Sequence, residues 1–154
     1  MLVCEMCLYY KEQGKSLYDA LIDLYEKYGY FKETLVSLEL KGKEGQEKIA
    51  NCIEALRNNP ASEVNGVKIV TRLDYKLSVE ENTVNNTKAP IDLPKSNVLK
   101  YILEDGSYFV VRPSGTEPKM KVYLAVKSNS LDNAEKDIAT FKEKVMEIIN
   151  SQLS

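Results

Sequence analysis

Hydrophobic positions change period several times along the chain, and each change marks an element. Leu2, Val3, Met6, Cys7 and Tyr10 fall three and four apart, which predicts an amphipathic helix over residues 2–12. No capping residue precedes it, so the chain reads as starting inside a helix, like a cut through a larger protein. Gln13-Gly14-Lys15 ends that helix. Ser16 caps a second one, with Leu17, Ala20, Leu21, Leu24 and Tyr25 on one face, and Gly29 stops it. From Phe31 to Leu40 the period shortens toward two, with Thr34, Val36 and Leu38, and predicts a strand. Gly42 to Gly45 reads as a turn. Ile49, Cys52, Ile53 and Leu56 then form a helical stripe over residues 46–57, ended by Asn58-Asn59-Pro60.

Gly66 turns the chain into a short strand, Val67-Lys68-Ile69-Val70. Residues 78–97 carry Asn82, Asn85, Asn86, Pro90 and Pro94 and read as a loop with weak extended pieces. Asp105-Gly106, flanked by 98–104 and 107–112, is a strong hairpin signal. Residues 113–118 read as a loop. Met120, Val122, Leu124 and Val126 alternate with Lys121, Tyr123, Ala125 and Lys127, predicting a half-buried strand over 119–127. The last helix spans 131–151, with Ala134, Ile138, Phe141, Val145, Ile148 and Ile149 as its core side. Asp132 and Glu135 sit in its first turn, where the helix dipole favours acids. The order implies an α+β domain: a mostly antiparallel sheet with helices packed on one face. We place its start near residue 33, leaving residues 1–32 as a helical tail.

Composition narrows the chemistry. The 154 residues are 44% apolar and 29% charged, which suits one domain with a core. Lys and Arg total 21 against 23 Asp and Glu, a net charge of −2 that argues against a nucleic-acid partner. There is no His, which removes His bases, Ser-His triads and His metal sites together. The apolar runs are too short to span a bilayer, and Glu5 interrupts the start, so no membrane or export signal is read. Three Cys (Cys4, Cys7, Cys52) fit reduced thiols in a cytoplasmic protein. Cys4 and Cys7 form a C-x-x-C without a second ligand pair and are expected as buried helix residues. Asn85-Asn86-Thr87 is a sequon that stays silent without secretion.

The segment with chemistry is Arg112-Pro113-Ser114-Gly115-Thr116-Glu117-Pro118-Lys119. Arg112 offers a planar fork of donors for a phosphate, and Ser114 and Thr116 add hydroxyls. Gly115 lets a backbone approach a ligand and adopt positive φ, and successive N–H groups in such a turn can form an anion nest. Lys119 and Lys121 add positive charge. The competing reading is a structural β-turn with an incidental Arg112–Glu117 ion pair.

The string from Arg112 to Tyr123, R-P-S-G-T-E-P-K-M-K-V-Y, resembles the C-terminal phosphate-binding loop of the α-D-phosphohexomutases, the phosphoglucomutase/phosphomannomutase enzymes. Leu93 to Tyr101 and Leu103 to Ser107 resemble the hairpin before that loop in bacterial members. Gly66-Val67-Lys68 and Asp74-Tyr75 resemble its earlier strands. Residues from Tyr9 to Tyr30 are similar to the helices closing the third domain of those enzymes. The resemblance implies a TATA-box-binding-protein-like C-terminal, phosphate-binding domain over 33–154. It implies the helical tail of the third, sugar-binding domain over 1–32.

It also implies a parent that interconverts hexose 1-phosphate and 6-phosphate through an enzyme phosphoserine and a bisphosphate intermediate. The family's phosphoserine loop, its Mg²⁺-binding loop of D-G-D-G-D-R type and its sugar-reading loop of G-E-x-S-G-H type are not found in this sequence. The expectation is a fragment with no catalytic residue, metal site or cofactor of its own, Mg²⁺ belonging to a domain absent here. By the resemblance, Arg112, Ser114, Gly115 and Thr116 grip the phosphate that is not reacting. Lys121 matches a position that is basic in some members, while Pro113, Glu117 and Pro118 shape the loop. The implied partners are a hexose phosphate or inorganic phosphate, and the missing N-terminal domains of the same polypeptide. Glucose, mannose and glucosamine members share the loop, so a phosphoglucosamine mutase fragment stays open. So do a stand-alone sugar-phosphate-binding module and an interaction domain with a vestigial loop.

Overall fold

In the computed structural model, which describes residues 1–153, twelve elements follow one another. They are α1 (Leu2–Glu12), α2 (Leu17–Tyr28), β1 (Tyr30–Glu39), α3 (Gly42–Asn58), β2 (Glu63–Val64), β3 (Val67–Asp74), β4 (Val79–Asn82), β5 (Thr87–Pro90), β6 (Leu99–Leu103), β7 (Tyr108–Pro113), β8 (Lys119–Ser128) and α4 (Leu131–Leu153). Seven strands run in the order β1-β8-β7-β6-β3-β4-β5, all neighbours antiparallel, and β2 pairs with β3. The result is the α+β architecture expected, with α3 and α4 on one face.

Strand alternation explains why that face is the core. Met120, Val122, Leu124 and Val126 of β8 are all buried, as are Phe109 and Val111 of β7 and Leu99, Tyr101 and Leu103 of β6. They meet Ile49, Cys52, Ile53 and Leu56 of α3 and Ile138, Phe141, Val145 and Ile149 of α4. Phe109 stacks on Tyr101 at 4.6 Å between ring centroids and meets Phe141 edge-on at 6.3 Å. The Tyr101 hydroxyl donates to the Leu56 carbonyl at 3.0 Å, so this buried phenol is satisfied. A near-complete burial of these side chains is what stabilises the two layers.

Several expectations need correction. Gly42–Gly45 is not a turn but the first turn of α3. A Cβ on Gly45 would stand 2.6 Å from Leu40 Cβ and 2.8 Å from its carbonyl carbon, so the glycine lets the helix start lie against the end of β1. Residues 78–97 are not mainly loop. They contain the β4–β5 hairpin, whose turn is held by the Asn82 side chain accepting from the Val84 and Asn85 N–H groups, with Asn86 at φ 54°. β3 runs to Asp74, beyond the expected end at Val70. Cys4 and Cys7 are exposed, because α1 has no residue buried against the rest of the described structure. β1 pairs with β8 from Tyr30 onward, so a division at 32/33 falls inside a strand. Among the described residues no helix is long and apolar enough to cross a membrane.

Candidate functional site

The strand pair β7–β8 builds the site, and its register sets which side chains share a face. Arg112 lies directly opposite Lys121, and both point away from the helices. Each is exposed. Among the described residues neither forms an ion pair, although like charges directly opposite on a sheet repel. The local carboxylates are engaged elsewhere. Glu117 stands 3.4 Å and Glu39 3.8 Å from the Lys119 ammonium. The incidental Arg112–Glu117 pair of the purely structural reading is therefore not formed. Glu117 neutralises Lys119 at the base of the loop instead.

The loop between the strands is tied down at three points. The Ser114 N–H donates to the Lys119 carbonyl at 2.8 Å, and the Lys119 N–H to the Glu117 carbonyl at 2.7 Å. The Leu40 N–H donates to the Pro118 carbonyl at 3.0 Å, fastening the loop to the end of β1. The Ser114 hydroxyl oxygen accepts long bonds from the Thr116 and Glu117 N–H groups, 3.4 and 3.3 Å, so these two amides converge on one oxygen. An oxygen held by adjacent backbone amides is the arrangement an anion nest also offers. Thr116 is exposed and its hydroxyl makes no hydrogen bond to the described residues. Gly115 departs from expectation: its φ is not positive, and a Cβ there would meet no heavy atom within 4 Å.

All five expected residues thus fall on one loop-and-strand-end cluster. The sequence reading missed Glu39 and Leu40, which reach the loop from β1. Only the long-range β1–β8 pairing brings them there. A second charged cluster lies at the α3–β3 contact. The Arg57 side chain, 7% exposed, is 2.6 Å from Asp74 and 2.8 Å from Glu54, and donates to Asn97 at 2.8 Å. Burial opposes its charge, but the Asp74 and Glu54 carboxylates outweigh that and raise its pKa. This cluster is internally compensated and structural, in contrast to the pair at 112 and 121. Among the described residues no group of three or more Cys, Asp or Glu side chains is placed to hold a metal ion.

Residues 51–140 match the family model described as phosphoglucomutase/phosphomannomutase, C-terminal domain. A phosphoglucomutase of Staphylococcus aureus is 38% identical over 128 residues, covering 83% of this chain and 23% of its own length. One from Staphylococcus haemolyticus is 32% identical over 131 residues, covering 85% and 24%. The chain therefore spans about a quarter of the length of the curated relatives it matches. The crystal structure of parafusin from Paramecium, a phosphoglucomutase in its open form, superposes with a TM-score of 0.59 at 14% identity, covering 94% of this chain and 25% of that one. That likeness is one of fold.

Proposed function

This chain belongs to the phosphoglucomutase/phosphomannomutase C-terminal domain family, and from that premise we propose that it grips the phosphate of a hexose phosphate through Arg112, Ser114, Gly115, Thr116 and Lys121. The observation that carries the proposal is the uncompensated pair Arg112–Lys121 beside the loop: two outward cations, directly opposite, with the neighbouring carboxylates committed to Lys119. A dianionic ester supplies the missing countercharge. The guanidinium gives a bidentate contact, the ammonium a point charge, and the loop amides and Thr116 hydroxyl complete the shell.

The domain holds and positions; the phosphoryl transfer belongs to the longer enzyme. In that enzyme a phosphoserine donates to the sugar phosphate, and the bisphosphate returns its other phosphate after reorienting. Holding the distal phosphate fixes the reacting hydroxyl near the donor and lowers the barrier by orientation. The family resemblance, rather than any feature of this sheet, assigns the Mg²⁺ of the reaction to another domain of the longer enzyme. The helices before β1 act as the tail of the sugar-binding domain, the sheet from Tyr30 onward with α3 and α4 as the phosphate-binding domain, and the protein works in the cytoplasm on glucose or mannose phosphates. The isolated chain is inactive as a mutase.

Titration of the ¹⁵N-labelled chain with inorganic phosphate tests this. Gly115 and Thr116 amides are expected to shift, with millimolar affinity that weakens as salt rises. Arg112→Ala is expected to weaken binding about tenfold or more, as for loss of a charge-assisted hydrogen bond of ~1.5–3 kcal/mol. Silent loop amides at tens of millimolar phosphate would overturn the reading.

A further inference from the structure

We propose that the helix-free face of the sheet next to this loop holds the sugar ring of the phosphate ester, with Tyr123 as its platform. The inference rests on the phosphate grip proposed above and extends it from the charge to the sugar. The register makes the connection. Two residues along from Arg112 and Lys121, on the same outward face, stand Val110 and Tyr123, themselves directly opposite one another. Two strand residues span about 7 Å, so a ring esterified to a phosphate at Arg112 and Lys121 lies over Val110 and Tyr123.

The same row widens on both sides, with Leu35 opposite Tyr123 and Lys100 opposite Val110. These side chains line a hollow of about 650 Å³. That volume falls in the range of small-molecule sites, roughly 300–1,000 Å³. Val98 and Tyr75 lie at the end nearest the cations. Val98 precedes Leu99, whose partner is Val111, so it sits beside Arg112, and the Tyr75 N–H donates to its carbonyl at 3.1 Å. The hollow therefore adjoins the cation row through Val110 and Tyr123, which line it, while Arg112 and Lys121 stand outside its lining.

Its far end is polar and ordered. The Tyr108 hydroxyl bonds the Glu33 carboxylate at 3.2 Å, and the Lys100 ammonium stands 4.4 Å from the Tyr108 ring centroid. A hexose presents C–H groups on its faces and hydroxyls on its edge. An aromatic and aliphatic floor, a carboxylate acceptor and an ammonium donor match those two surfaces. Leu35, 49% exposed on this face, loses water when the ring settles over it. The occupant inferred is thus a phosphosugar whose charge is at 112 and 121 and whose ring faces Tyr123.

The test is amide mapping of the whole chain with two probes, inorganic phosphate and glucose 6-phosphate. Both are expected to move Ser114 to Thr116, and only glucose 6-phosphate to move Lys100, Val110 and Tyr123. Tyr123→Ala is expected to weaken glucose 6-phosphate about tenfold and leave inorganic phosphate unchanged. Leu35→Ala, at a half-exposed site, acts in the same direction. If glucose 6-phosphate moves only the loop, or Tyr123→Ala weakens both probes equally, the inference falls and the phosphate grip stands. If neither probe moves the loop, both fall. If the face resonances broaden with protein concentration alone, a second copy covers the hollow and the inference is overturned.

Discussion

At Gly115 a Cβ would meet no heavy atom within 4 Å, and the backbone there does not take positive φ. The chain's own packing and dihedrals do not demand glycine at this position, whereas the close approach of a phosphate to the backbone in the proposed grip would. Gly115→Ala is therefore expected to leave the denaturation midpoint within about 0.5 kcal/mol of wild type while weakening inorganic phosphate several-fold; equal midpoints with equal affinity would refute this role. Two other residues make stability depend on pH. Burial pushes the Cys52 thiol from 9.0 to about 11, and chiefly burial pushes the Tyr101 phenol from 10.0 to about 12. Both folded pKa values lie above the unfolded ones, so the folded state keeps protons that the unfolded chain releases. Their contribution is complete below pH 9 and is lost as pH rises toward 12. Urea unfolding between pH 8 and 11 is expected to show that fall, shallower in Tyr101→Phe. That variant also loses about 1 kcal/mol at neutral pH with its bond to the Leu56 carbonyl. The candidate residues at 112–116 stood out in the sequence because Arg, Ser, Gly and Thr in one run declare their donors locally. Glu39 and Leu40 were not, since their role depends on strand pairing across some eighty residues of chain.

Between elements, glycine at 45 decides how α3 leaves β1. An alanine methyl would press on Leu40 backbone as well as side chain, at 2.8 Å from its carbonyl carbon and 3.0 Å from its oxygen. Backbone cannot swing aside as a side-chain tip does, so Gly45→Ala is expected to cost about 1–3 kcal/mol, read as a lower denaturation midpoint with an unchanged slope. The same glycine hid the helix start, since Gly-Lys-Glu-Gly resembles a turn when the neighbour it packs against is not known. Where one face was buried the periods were readable: β8 alternates Met120, Val122, Leu124 and Val126 inward, and α4 carries its stripe to Ile149. β4 and β5 gave no such signal. They extend the sheet beyond the helices, β5 is exposed throughout, and backbone pairing with the Asn82 side chain holds the hairpin. The Cys4–Cys7 helix misled in the opposite direction. Its apolar stripe is genuine in sequence, but nothing among the described residues buries it.

Across the whole molecule the core is confined to α3, α4 and the sheet. α1 contributes no buried residue, and α2 contributes Ala20 alone. What orders the first two helices is local: the Ser16–Asp19 capping box starts α2, and Tyr25 packs on Tyr30 at 5.4 Å between ring centroids where the chain enters β1. Leu2, Val3, Met6, Leu8 and Tyr9 remain largely in water, so α1 lacks the apolar burial from which most helical stability in proteins derives. Opening free energies are therefore expected to climb along the chain, lowest in α1, higher in α2 and highest in β6, β7 and β8. Hydrogen exchange reads this directly, with α1 amides exchanging first and the amides of Val111 and Val122 last. A chain starting at Gly29 is expected to keep the wild-type urea midpoint and slope, because the cooperative unit is intact, while losing helical ellipticity for two helices. A sharp fall in the midpoint would show instead that α1 and α2 unfold with the sheet. That result would make the first thirty residues part of the same cooperative body as the loop between β7 and β8.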